Sequence, residues 1–170
     1  YAVGMRALAE AAGLNPGTLY HHFASKDDAL LSICMVAHER TLSDLRSVMK
    51  SEQSFAARIR ALFDAHCVSL DEIGDFLQVY INLRSHVPAN MVAPLDDGWL
   101  TYRRLLSRLF SDAKKFGEVR SDLNTKHLSR MLVGLVRDVN QLHRAGRVHE
   151  IGAFANLAVE TLLRGIASSR

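Results

Sequence analysis

The stretch RALAEAAGLNPGTLYHHFASKDDAL, residues 6–30, restricts this chain more than any other. Two short runs of helix-forming residues are separated by Gly13, Leu14 and Asn15, with Pro16 directly after. Asn is a strong helix N-cap, and proline at the first helical position gives up an N–H that would be unpaired anyway. Gly13 suits a left-handed exit from the preceding helix. The spacing predicts helices over 5–12 and 16–22 joined by a tight turn, the dimensions of a helix-turn-helix. A plain helical hairpin has the same spacing, so at this point both readings stand.

The remainder reads as helix throughout, and the fold class expected is all-α. The 170 residues contain three prolines (Pro16, Pro88, Pro94), and no alternating apolar run bounded by turns suggests a strand. Helices are expected at 26–49, 53–71, 75–85, 97–116, 124–144 and 149–168, with a proline-bounded loop over 87–94. Ser25 and Asp28 form a capping box with Asp in place of Glu or Gln, opening the helix at Lys26. Gly117 and Gly146 stop two later helices. Leu31, Met35, His38, Leu42, Leu45 and Met49 make one stripe along 26–49, interrupted in its apolar character only by His38. At 1.5 Å per residue that helix is about 36 Å long, enough to tie a small head, residues 1–25, to a separate body, residues 26–170.

Composition limits the function classes. A hydrophobic fraction of 48% with 23% charged residues suits a folded globular chain. No apolar run approaches the ~18–20 residues of a membrane span. Cys34 and Cys67 lack zinc or redox spacing and read as reduced, buried thiols of a cytoplasmic protein. The formal charge is +3, but residues 1–50 hold five Lys/Arg and five Asp/Glu, while 125–170 hold seven against three. Net charge therefore does not itself point to a nucleic-acid-binding head.

In the helix-turn-helix reading, Leu8, Ala9 and Ala12 of the first helix, with Leu19 and Phe23 beyond the turn, supply the buried contacts. Pro16, Gly17, Thr18, Tyr20, His21 and His22 remain outside, short or planar groups placed where a recognition helix meets bases and phosphates. The segment LAEAAGLNPGTLYHHFASKDDAL resembles the tetracycline-repressor (TetR) family of bacterial transcription regulators. It follows that family's pattern of Ala, Ala-Gly, Gly/Pro-Thr-Leu-Tyr, His-Phe, then Lys and a leucine, over roughly residues 3–31.

The resemblance implies roles by position. Thr18, Tyr20 and His22 would contact phosphates or base edges, His21 would face the groove, and Lys26 would pair with a phosphate. Arg6 is a candidate for guanine readout, and Asn15 for a cap, a DNA contact or both. Two departures matter. Gly4 stands where the family usually places a Ser/Thr cap, so that phosphate contact would fall to a backbone N–H. The helix that in the family precedes Tyr1 is not in the sequence, and the head as given is expected to be unstable alone.

Enzyme signatures are poor, and no cofactor or metal is expected. Ser47-Val-Met-Lys50 matches a Ser-x-x-Lys pattern without its partner motifs. The eight histidines show no metal spacing, and His38 and His66 on apolar faces read first as satisfied core histidines. By resemblance, a small molecule would bind in the body. His38, Phe63, His66, Tyr80, Arg84, Trp99, Tyr102 and Leu106 are the candidate lining residues. Arg84 could neutralise an anionic ligand, pair with Asp64 or Asp75, or lie at the surface. A hydrophobic acid or acyl-CoA would suit an apolar pocket with one arginine.

The last two helices carry faces wider than one core contact requires, which favours a bundle completed by a second subunit. Leu128, Met131, Leu135, Val139 and Leu142 on one, and Phe154, Leu157, Ala158 and Leu162 on the other, are the candidate dimer residues. The function expected is a homodimeric, ligand-responsive regulator, a repressor that releases double-stranded operator DNA when a small-molecule effector binds. The alternative is a helical ligand-binding or interaction protein that no longer reads DNA.

Overall fold

The computed structural model describes the backbone of residues 4–83 and 89–167, and the side chains of residues 4–70 and 93–167. Among the described residues seven helices run in the order α1 (Met5–Ala11), α2 (Pro16–His22), α3 (Lys26–Lys50), α4 (Phe55–Leu83), α5 (Ala89–Lys115), α6 (Thr125–Arg144) and α7 (Val148–Ile166). No strand occurs among the described residues. A single antiparallel bridge joins Val119 to Ala167, and the Arg120 N–H donates to the Ile166 carbonyl at 2.9 Å.

The short elements begin and end for local reasons. Asn15 Oδ1 accepts the Gly17 N–H at 2.9 Å and opens α2, with Pro16 at its first position. At the end of α1, Gly13 takes φ 66°. The Leu14 N–H reaches back to the Ala9 carbonyl at 2.8 Å and the Gly13 N–H to Glu10 at 3.1 Å, the paired bonds of a Schellman ending. The same two-bond pattern closes α5 and α6.

Two expected boundaries are corrected. In place of two helices expected at 53–71 and 75–85 there is one of 29 residues, α4 (Phe55–Leu83), running straight through Gly74. A glycine inside a helix costs about 1 kcal/mol against alanine. Packing of α4 on α3, α6 and α7 outweighs that cost. The expected loop at 87–94 also gives way, since α5 begins at Ala89 and carries Pro94 inside it. Proline there removes one bond to the carbonyl four residues back. Leu95, next to it, is 2% exposed, so burial holds the segment helical despite the lost bond.

The core lies in the body. Side chains from α3 (Ala37, Leu42, Leu45), α4 (Ile59, Leu62, Phe63), α5 (Leu106, Leu109, Phe110), α6 (Leu132, Val139) and α7 (Val159, Leu163) form one buried cluster. Phe55 and Phe110 meet with ring centroids 5.3 Å apart, tilted at 56°. The inward face of α3 is broader than its expected stripe. Cys34, Ala37 and Val48 are buried, whereas Leu31, Met35 and Met49 sit half-buried at the edges. α3 packs on both α4 and α5, which requires more than one row of side chains.

Candidate nucleic-acid interface and effector site

The head consists of α1 and α2 packed on each other. Met5 and Ala9 are its buried side chains, Leu8, Leu19 and Phe23 are half-buried, and α2 contributes no buried residue. Ala12, expected inside, is exposed, and Met5 takes that part. Along α2, helical geometry places His21 opposite Leu19 and Phe23, Thr18 beside it on the outer side, and Tyr20 and His22 on the two flanks. Thr18, Tyr20, His21 and His22 are all exposed, Tyr20 to 57%. This is an outward row of hydrogen-bonding groups on a helix whose other side makes the packing contacts.

His21 and His22 occupy the last turn of α2, where the helix dipole favours positive charge, and their rings meet edge-on at 5.5 Å. Lys26 is the first residue of α3 and is exposed. Arg6 is exposed on α1, 3.7 Å from the Glu10 carboxylate one turn on. A pair so open to solvent is worth little, so the guanidinium is easily released to another partner. Gly4 caps α1 in extended conformation with no side-chain bond, and nothing lies within 4 Å of where its Cβ would be. Asn15 is committed as a cap yet remains exposed.

The body holds a second group of polar side chains, in its interior. The His66 ring is buried on α4, and its Nε2 lies 2.7 Å from Asn140 Oδ1 on α6. Because Oδ1 only accepts, the proton sits on Nε2. Burial pulls the His66 pKa below the usual histidine value, against the opposing pull of Asn140 and of the Asp44 charge. The Ser69 hydroxyl, also buried, donates to Asp44 Oδ2 at 3.1 Å and joins α4 to α3. Asp44 meets Arg40 at 3.6 Å on the outer side. Ser107 and Ser129 hydroxyls approach to 3.1 Å between α5 and α6.

His38, on α3, is 4% exposed and packs against α5 at Gly98. A Cβ added to Gly98 would fall 2.6 Å from its Nε2, so glycine is what lets the ring fit. Burial lowers the His38 pKa; Glu39 opposes that shift and Arg46 adds to it. Trp99 and Tyr102 stack at 6.1 Å and 21°. Burial, reinforced by the Asp44 charge, raises the Tyr102 hydroxyl above the usual tyrosine value and keeps it neutral.

The expected effector residues therefore divide. His38, His66 and Trp99 lie on three helices facing the interior, while Phe63, Tyr102 and Leu106 are enclosed members of the core. The Tyr80 side chain and all of Arg84 lie outside the described residues. Asn140, Asp44, Ser69 and Ser129 were missed. An asparagine directly after Val139 on an apolar face was the available signal for the first of them. Among the described residues no cluster of three or more His, Cys, Asp or Glu could hold a metal. No helix among the described residues is long and apolar enough to cross a membrane.

The dimer set is corrected in part. Leu128, Val139 and Leu162 fill the core of their own chain, at 4%, 0% and 6% exposure, and have no surface to offer a partner. The stripes that hold them serve α4 and α5. Met131 and Leu157 are well exposed, and Leu135, Leu142, Phe154 and Ala158 are half-buried beside them.

A short helix pair with an outward polar second helix, joined by one long helix to an all-α body, defines a nucleic-acid-binding protein of the helix-turn-helix class. Residues 1–33 match the family of bacterial regulatory proteins called the tetR family. The chain is 25% identical to the HTH-type transcriptional regulator UidR of Escherichia coli (strain K12) over 139 residues, 82% of this chain and 70% of that protein. It is 25% identical over 168 residues to the HTH-type transcriptional repressor KstR2 of Rhodococcus jostii (strain RHA1), covering 98% of this chain and 82% of the relative. In fold it matches the ketosteroid transcriptional regulator KstR2 of Mycobacterium tuberculosis with TM-score 0.80 at 20% identity, over 99% of this chain and 86% of the other. The chain thus resembles tetR-family regulators, in sequence through its first 33 residues and in fold over nearly its whole length.

Proposed function

We propose that this protein is a cytoplasmic, homodimeric repressor that binds operator DNA through α2 and releases it when a small molecule occupies the body. The observation that carries the reading is the outward polar row of α2, with Lys26 at the start of α3 beside it. Thr18, Tyr20 and His22 would meet phosphates or base edges and His21 the groove floor. Lys26 would neutralise a phosphate, and Arg6 would leave Glu10 for a guanine. Two such helices, about 34 Å apart in a dimer, meet successive major grooves of a palindromic site. The partly exposed apolar side chains of α6 and α7, Met131, Leu135, Leu142, Phe154, Leu157 and Ala158, would face the second subunit.

The effector would lie in the body beside His38, His66, Trp99 and Tyr102. Tyr80 and Arg84 join that set on sequence grounds alone, so an acidic or acyl-CoA effector rests on Arg84. One relative in fold is a ketosteroid transcriptional regulator, which supports an apolar effector more generally. α3 carries both His38 and the head, so a ligand that prefers one α3 position shifts the dimer towards a head spacing that no longer fits DNA. The protein acts by binding, and no catalytic step is assigned.

The test is operator binding by the full-length protein, followed by fluorescence anisotropy on a duplex from upstream of its own gene. Tyr20→Ala should weaken binding by about tenfold, as loss of a charge-assisted or base-edge contact does. Unchanged affinity for both Tyr20→Ala and Thr18→Ala would remove α2 from the interface and with it this reading.

A further inference from the structure

Only Phe23, Ala24 and Ser25 separate α2 from α3, and their bonding is specific. The Phe23 N–H donates to the Leu19 carbonyl at 3.0 Å, finishing α2. Ser25 Oγ accepts the Asp28 N–H at 3.1 Å, starting α3. The Asp28 carboxylate does not return to the N–H of the cap residue, as in the usual capping box. It reaches one residue further back and accepts the Ala24 N–H at 3.0 Å. The first turn of α3 is thereby tied to the linker that leaves α2. Since α2 has no buried side chain, packing sets its direction only loosely, and such a tie has something to hold.

We propose that Asp28 is a positioning residue for DNA binding, its carboxylate clasping the α2–α3 linker at Ala24 and fixing the angle between the recognition helix and the long helix. The inference rests on the DNA-binding reading above. It also runs against simple electrostatics. A carboxylate two residues from Lys26 repels phosphate, so its removal should by charge alone tighten binding. A clasp predicts that binding depends on the acceptor oxygen, whatever the charge.

Asp28→Ala and Asp28→Asn remove the same charge, but asparagine keeps an acceptor oxygen. Operator affinity and affinity for an unrelated duplex are measured on both variants of the full-length protein. Asp28→Asn should bind operator at least as tightly as the wild type, and Asp28→Ala about fivefold more weakly than Asp28→Asn, the usual scale for a lost cap. On the unrelated duplex the two variants should agree, which also shows both to be folded. Equal operator affinity for the two variants would overturn the clasp. A readout independent of DNA is hydrogen exchange at the Ala24 amide, expected slow in the wild type and in Asp28→Asn and fast in Asp28→Ala. Fast exchange in the wild type would overturn it as well. Should the wild type show no preference for any duplex, the functional reading falls, and the Ala24 exchange alone decides the clasp.

Discussion

The head and the body of this protein are held together by different means. In α1 and α2, order comes from turns and caps: Gly13 with its two backbone bonds, Asn15 on Gly17, Ser25 and Asp28 on the linker. Only Met5 and Ala9 are buried there. In the body the local devices recur, but the weight rests on a cluster of enclosed side chains from five helices. A helix free of deep burial can spend its side chains on an outside partner, whereas an enclosed helix spends them on its neighbours. On the proposed function, the contrast separates a surface for reading from an interior for sensing.

That contrast can be broken most strongly in the core. Phe110 is fully enclosed and packs on Phe55, so Phe110→Ala should cost about 3–5 kcal/mol. A urea melt should show it, and a loss below 1 kcal/mol would mean the body does not depend on this cluster. The next effect is smaller and of opposite geometry. Gly98→Ala places a methyl against the His38 ring, and such overpacking costs about 1–3 kcal/mol. Gly98→Ala combined with His38→Ala should recover most of that loss. Absence of recovery would show that the strain lies elsewhere.

Acid provides a third way to tell the regions apart. His38 and His66 have folded pKa values below the usual one, so between those values and about 6.5 the unfolded chain binds more protons. Their contribution to stability is complete above pH 6.5 and is lost as the pH falls through the folded values. The melting temperature of the body should therefore drop from pH 7 to pH 5. His66→Gln should flatten the slope; an unchanged slope would exclude His66 as a source. The smallest effect belongs to the head. Asn15→Ala should cost about 1 kcal/mol of local stability, seen as faster amide exchange at Gly17 with the body's melting temperature unmoved.

What was legible beforehand follows the same division. The head announced itself because its elements are written in short-range chemistry, each cap and turn within five residues of its partner. The expected breaks in α4 and before α5 failed for the complementary reason. Gly74 and Pro94 are local signals for stopping, and packing at residues such as Leu95 overrides them. The His66–Asn140 contact spans 74 residues, and no spacing rule brings those two together. Leu128, Val139 and Leu162 illustrate the limit of periodicity. An apolar stripe says that a face is covered but not by which helix, of its own chain or of a partner.

The measurement closest to the central claim is the salt dependence of binding to the operator, comparing the wild type with Lys26→Ala. If the α2–α3 corner lies on the phosphate backbone, log affinity falls steeply with log salt, and removing Lys26 reduces that slope by about 1. An identical slope in the variant, with affinity unchanged, would place the DNA elsewhere and contradict the assignment of the head.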